Sequence, residues 1–164
     1  MSMELAVKAL MDGVAAIQRD FDSPDDDWGA ICVLECERER VFVPLFFDND
    51  DEKETIATRL IPMAMLRLKP WMVGTVISAW TVHTTDLDEI DVRPSEHPRR
   101  IEVVTLSAIT LDQEQFWMAR IRRFPDKPPE LGKWRLQQGE RSGLFVDPIV
   151  ETFKFMEEHS DEEA

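Results

Sequence analysis

Tyrosine is absent from this chain of 164 residues, glycine occurs only six times and cysteine twice. None of the glycines forms a Gly-rich phosphate loop followed by Lys and Ser or Thr. There is no Gly-x-Ser-x-Gly nucleophile elbow, no HExxH and no paired CxxC, so the sequence patterns of the commonest enzyme classes are missing. No apolar run approaches the roughly 20 residues that cross a bilayer. The N-terminus, MSMELAVKALMDG, has Glu4 early and no basic stretch before an apolar one, so it reads as a helix and not a signal peptide. A cytoplasmic protein is expected, with no cofactor and no membrane partner. Cys32 and Cys36 stand four residues apart in a β-prone segment. On a strand they lie ~13 Å apart, beyond the about 4.4 to 6.8 Å that a disulfide spans between Cα atoms. With no His or Cys nearby in sequence to complete a zinc site, both read as core residues.

What is present is acid. The formal charge is −14, from 19 basic and 33 acidic residues. Residues 93–141 hold ten basic against seven acidic side chains, a local balance of +3, and the rest of the chain carries −17. The acids gather at 20–27, 48–54, 86–91 and 157–163. They read first as solvating loops and helix starts. A direct nucleic-acid partner is disfavoured by this charge, because backbone binding needs a positive field. An acidic nucleic-acid mimic that blocks a basic partner is one alternative.

Hydrophobic spacing predicts an amphipathic helix over 3–19, using Leu5, Val7, Leu10, Met11, Val14 and Ile17. Residues 29–36 and 41–47 read as a hairpin, and Pro44 in its second strand belongs at an edge or bulge. A helix capped by Asp50 or Asp51 should run toward Leu68, kinked or split at Pro62, with Ile56, Leu60, Met63 and Met65 available for burial. Strands follow over 72–82, 100–110 and 116–124, with a short one at 133–138. Asp147 then caps a closing helix to Glu158, with Pro148 at its first position. Strands and helices do not alternate as in a doubly wound parallel sheet. The expectation is an α+β fold: a mostly antiparallel sheet of about five to six strands, with N-terminal, central and C-terminal helices packed on it. Residues 1–158 should form one domain, followed by an acidic disordered tail over 159–164 in which His159 is exposed.

The connection from Trp80 to Arg100, WTVHTTDLDEIDVRPSEHPRR, is the candidate site. A polar connection of this length inside a compact domain is either a working loop or a disordered one. The side chains of His83, Thr85, Arg93, Ser95, Glu96, His97, Arg99 and Arg100 are the ligand-binding candidates, suited to a phosphate or carboxylate. The plainer reading pairs the arginines with Asp86, Asp88, Glu89 and Asp91 at the surface. No catalytic and no metal-binding residue is assigned. An alternative makes His83, Glu96 and His97 the site of a metal- or anion-dependent hydrolase-like enzyme.

Part of this string resembles the metal motif of the JAB/MPN (JAMM) isopeptidase family, with His83 at the first His and Glu96 at the Asp. It departs from the motif where Thr85 replaces the second His and Arg93 the Ser, which removes two of the four positions a catalytic zinc would need. The strings ISAWTV and RPSEHPRRIEVV resemble short uncharacterised proteins of bacteria and phages. That resemblance implies a microbial or viral setting and no activity. A second basic cluster, Arg120, Arg122, Arg123 and Lys127, suggests an edge contact with an acidic subunit. The expected function is a non-enzymatic binding or regulatory module that meets a protein partner, or a copy of itself, through the 80–100 connection.

Overall fold

The structure, a computed structural model, describes residues 2–82, 96–139 and 143–160. Helix α1 (Met3–Arg19) leads into a hairpin of β1 (Ala30–Glu35) and β2 (Arg40–Pro44). Helix α2 (Asp50–Thr55) winds through a π turn (Ile56–Leu60) into α3 (Ile61–Leu68). The long strands β3 (Met72–Thr81), β4 (Ile101–Ile109) and β5 (Glu114–Arg122) follow as a meander. Two-residue strands β6 (Glu130–Leu131) and β7 (Arg135–Leu136) precede helix α4 (Asp147–Glu158). The protein is α+β. Its strands lie in the order β2-β1-β3-β4-β5-β6, with β7 also on β5, and every described pairing is antiparallel. No described helix is long and apolar enough to cross a membrane.

The central strands are apolar on both faces because helices cover both. On one face α1 buries Met3, Ala6, Val7, Leu10 and Val14 against Val33, Met72, Val76, Val104, Leu106 and Ile121. On the other face Ala57, Ile61 and Met65 join Ile149 and Phe153 of α4 over Cys32, Leu34, Val73 and Ile109. The alternation of β3 and β4 sends successive side chains into one cluster and then the other. Within the sheet, Thr75 and Ser107 face each other across strands and share a buried hydrogen bond between hydroxyls.

Local chemistry sets the element ends. Ser2 caps α1 by accepting the Leu5 N–H at 3.2 Å. Asn49, rather than an aspartate, caps α2 by accepting from Glu52 N–H at 2.8 Å, and the Glu52 carboxylate accepts the Asp48 N–H at 2.7 Å in return. The helical segments run on through Pro62 without a break. The turn before it widens, with Ile61 N–H donating to Ile56 carbonyl, and this absorbs the missing proline donor. Asp147 is the first residue of α4 instead of its cap, and its carboxylate accepts the Gly143 N–H at 3.2 Å.

Further expectations change. Leu5 is exposed, because it lies about 200° around the helix from Met3 and so off the buried stripe. The expected strand over 133–138 is one edge in two pieces. Ile121 pairs with Leu131 and Met118 with Arg135, so two residues of β5 face three of the edge, which is a β-bulge. Gly132 stands just before it, in register opposite Arg120, whose carbonyl accepts its N–H at 2.7 Å, so Lys133 and Trp134 face Ala119. His159 is half-buried and stacks on Phe155 at 4.0 Å, so the first residues of the expected tail still follow α4; residues 161–164 lie outside the described ones.

Helix α1 is seated by one glycine. A Cβ at Gly74 would stand 2.7 Å from Leu10 Cδ1. Gly74→Val is therefore expected to lower stability by about 1–3 kcal/mol through overpacking, and Leu10→Ala alone by about 2–5 kcal/mol. Urea unfolding of the double variant should give a loss smaller than the sum, because the truncated Leu10 makes room for the new side chain.

Candidate functional site

Strands β3 and β4 pair out to Thr81 and Ile101, so the two ends of the 80–100 connection leave the sheet side by side. His83, Thr85, Arg93 and Ser95 lie outside the described residues. The other four candidates form a compact turn. Glu96, Arg99 and Arg100 are exposed, and His97 is turned inward at 4% exposure. The His97 Nδ1 accepts the Arg99 N–H at 3.0 Å, which leaves the ring proton on Nε2. His97 carbonyl accepts from the Arg100 N–H at 3.2 Å and from its guanidinium at 3.3 Å. That guanidinium also lies over the Trp80 ring, 4.9 Å from its centre. Among the described residues, no three His, Cys, Asp or Glu side chains stand close enough together to hold a metal ion.

The same end of the sheet is fastened by Arg123. Its guanidinium binds the Glu102 carboxylate twice, at 2.6 and 3.1 Å, and donates to Asp26 carbonyl at 2.9 Å and Pro24 carbonyl at 3.3 Å. Ser78 donates to Asp27 at 2.8 Å beside it. The acidic segment 20–27 is thus tied down onto β3 and β4 by a planar cation whose fork fits a carboxylate. Hydrogen bonding to Glu102 raises the Arg123 pKa further. Within that segment Asp26 is held below its ordinary value by the backbone N–H groups of Asp22 and Ser23, at 2.8 and 2.9 Å. All three arginines of the basic cluster read from the sequence are exposed; Arg123 is committed to Glu102 and the 24–26 backbone, while Arg120 and Arg122 lie on β5.

A second region was not read from the sequence. Between edge strand β2 and the α2–α3 helix lies an open apolar cavity of about 250 Å³. Cys32 and Leu34 of β1, Val43 and Pro44 of β2, and Ile56, Leu60 and Ala64 of the helix line it, with Phe46 also on the wall. Phe46 is 84% exposed, Met63 65% and Leu60 54%. The helix buries Ala57, Ile61 and Met65 at i,i+4 spacing. Leu60 and Met63, expected to be available for burial, therefore point outward. The surplus of apolar residues over 56–66 and the Phe46-Phe47 pair beside a turn were the only sequence signals for this corner. The one titratable side chain in the wall is Cys32, whose thiol is pushed up to about 12 by burial. A thiol so far from ionising is no nucleophile. The cavity is lined by apolar side chains and is small for a drug-sized ligand, which takes ~300–1,000 Å³.

No protein-family model matches this chain, nor does any curated protein or solved structure.

Two outcomes check the site. Alkylation of the native protein at mildly alkaline pH should label Cys36 slowly and Cys32 not at all, with both labelled after unfolding; mass spectrometry of the peptides reads this. Burial raises both thiols, and Cys36, near Glu39 and Glu35, is the more accessible. Arg123→Ala should lower stability by about 1–3 kcal/mol. Arg123→Lys should recover little of it, since an ammonium cannot reproduce the bidentate contact; thermal and urea unfolding measure both.

Proposed function

We propose that this protein is a non-enzymatic binding module whose partner is another polypeptide, engaged at the corner where edge strand β2 meets the α2–α3 helix. The observation that carries this reading is the apolar cavity, open to solvent and walled without a reactive group, beside a strand whose outer edge has no neighbour among the described residues. An exposed apolar patch next to a free edge is the arrangement by which a sheet accepts an added strand, with backbone hydrogen bonds supplying affinity and a pocket supplying side-chain selectivity. A cavity of about 250 Å³ suits one large apolar side chain; an apolar hole of roughly 150 Å³ already takes a benzene-sized group. Two free cysteines suit a reducing, cytoplasmic setting.

The turn at the far end of the sheet is the second contact surface in this proposal. Arg100 braced on Trp80 presents Glu96 and Arg99 to solvent from a fixed mount, and His83, Thr85, Arg93 and Ser95 belong to the same connection. Its role is recognition of a protein surface.

A short peptide of alternating apolar and polar residues, added to dilute protein, tests the corner. Binding should shift the amide resonances of residues 41–46 and 56–64. Ala64→Trp, which fills the cavity, should weaken binding at least tenfold and leave the unfolding midpoint nearly unchanged. Shifts confined to other surfaces, or undiminished binding by the Ala64→Trp variant, would end this reading.

A further inference from the structure

We infer that the polypeptide taken up at this corner is a second copy of the same chain, joined β2 to β2 across a twofold axis at Phe42. The inference rests on the binding reading above and names its partner. It follows from which backbone groups of β2 are already used. Cys36 N–H donates to Glu39 carbonyl at 2.8 Å, closing a two-residue turn at Glu37 and Arg38, and Leu45 N–H donates to Ala30 carbonyl at 2.9 Å. Antiparallel pairing alternates, so residues 39, 41, 43 and 45 bond inward to β1. Arg40, Phe42 and Pro44 therefore turn their backbone groups to the open edge. Pro44 has no N–H to offer there, which is why a proline is tolerated in this strand.

These outward groups are complementary to themselves. With Phe42 opposite the partner's Phe42, the two residues exchange two hydrogen bonds, and each Arg40 N–H meets the partner's Pro44 carbonyl, giving four bonds in all. The whole of each strand is matched in this register. Val41 falls opposite the partner's Val43, on the face of the cavity, while the two exposed Phe42 rings meet on the opposite face. Centring the axis on Val41 instead would oppose Val43 to Glu39 and run Pro44 against the hairpin turn.

Charge and the state of the two edges point the same way. Residues 30–47 carry three acids and two arginines, a net −1 in a chain of −14, so this hairpin approaches its own copy with little repulsion. The opposite edge of the sheet is broken by the bulge between β6 and β7, preceded by Pro128 and Pro129, and carries Lys133 and Arg135. Those are devices that block edge pairing. Edge β2 has Arg40 and Pro44 but no lysine and no bulge in its described pairing, and it displays Phe42 and Phe46 at 61% and 84% exposure. Five-residue strands bury less than the ~1,000 Å² of a durable interface, so the dimer is weak and concentration-dependent.

Sedimentation equilibrium of the intact chain should show a monomer–dimer equilibrium that tightens with salt, as screening lowers the mutual repulsion. Phe42→Lys should weaken it at least tenfold. Pro44→Val supplies the missing N–H for the partner's Arg40 carbonyl and should tighten it roughly tenfold. In a Cys36→Ser background, Phe42→Cys should form a disulfide-linked dimer on mild oxidation, because hydrogen-bonded antiparallel pairs bring Cα atoms to about 5.5 Å. Arg38→Cys and Val41→Cys should not. A chain monomeric up to its solubility limit, dimerisation indifferent to Phe42→Lys, or cross-linking through position 38 or 41 instead of 42 overturns the inference. A monomeric chain that still binds the apolar peptide removes self-pairing alone. A chain that dimerises as described while the dilute monomer ignores the peptide keeps self-pairing and removes the wider binding reading.

Discussion

Leu10 rests over Gly74 on one face of β3, and Val73 packs under Met65 and Ile149 on the other. This two-sided burial of the middle strands governs the rest of the fold. It requires helices on both faces and makes β1, β3 and β4 apolar in both phases of their alternation, so the strands read as nearly continuous hydrophobic runs. It also sets where cover runs out. α1 packs on β3 and β4, and the second layer reaches β1 and the start of β3. The edge strand β2 and the far ends of β3 and β4 are left for other groups to meet. Both candidate surfaces lie at these margins.

The two margins are built differently. At the ends of β3 and β4, polar contacts do the fastening: Arg123 on Glu102 and the 24–26 backbone, Ser78 on Asp27, Arg100 on Trp80. Part of the acid excess is structural there, since the Asp27 carboxylate accepts from Ser78 at 2.8 Å and stands 3.7 Å from the Arg123 guanidinium. At the β2 corner, fastening is apolar and incomplete. Lys53 lies 5.6 Å from the Phe47 ring and 5.9 Å from that of Phe145, linking the start of the central helix to the segment before α4. Phe46, one residue earlier, has no comparable partner among the described contacts. The first margin is a braced polar surface and the second a hollow apolar one.

Much of the framework was legible because it rests on period and on single decisive residues. The two-residue alternation of Phe116 to Ile121 marked β5, the apolar spacing of Val7, Leu10 and Val14 marked α1, and Pro44 marked an edge. What escaped were features that depend on phase and not on period. Within α3, Met63 lies about 200° around from Ile61 and Met65, so it faces outward with Leu60 while they face in. The bulge divides the last edge, and its one extra residue, at Lys133–Trp134, has no signature apart from the glycine before it. The inward turn of His97 depends on a backbone donor two residues on, which composition cannot reveal. Residue type pointed to the 80–100 connection, but a cavity made by apolar side chains from three separate elements has no local signature at all.

The π turn ties the acidic start of the central helix to the hollow beneath it. It holds one residue more than an α-helix needs for the same advance, and that surplus rotates everything before it by about 100° relative to α3. α2 buries none of its six residues, and its Asp50, Asp51 and Glu52 stand clear of the core, while the π turn and α3 line the cavity. The winding acts as a fixed angular offset between a charged lever and an apolar seat. Neither can be re-aimed by a side-chain change alone, because their relative bearing is stored in the count of residues between Asn49 and Pro62.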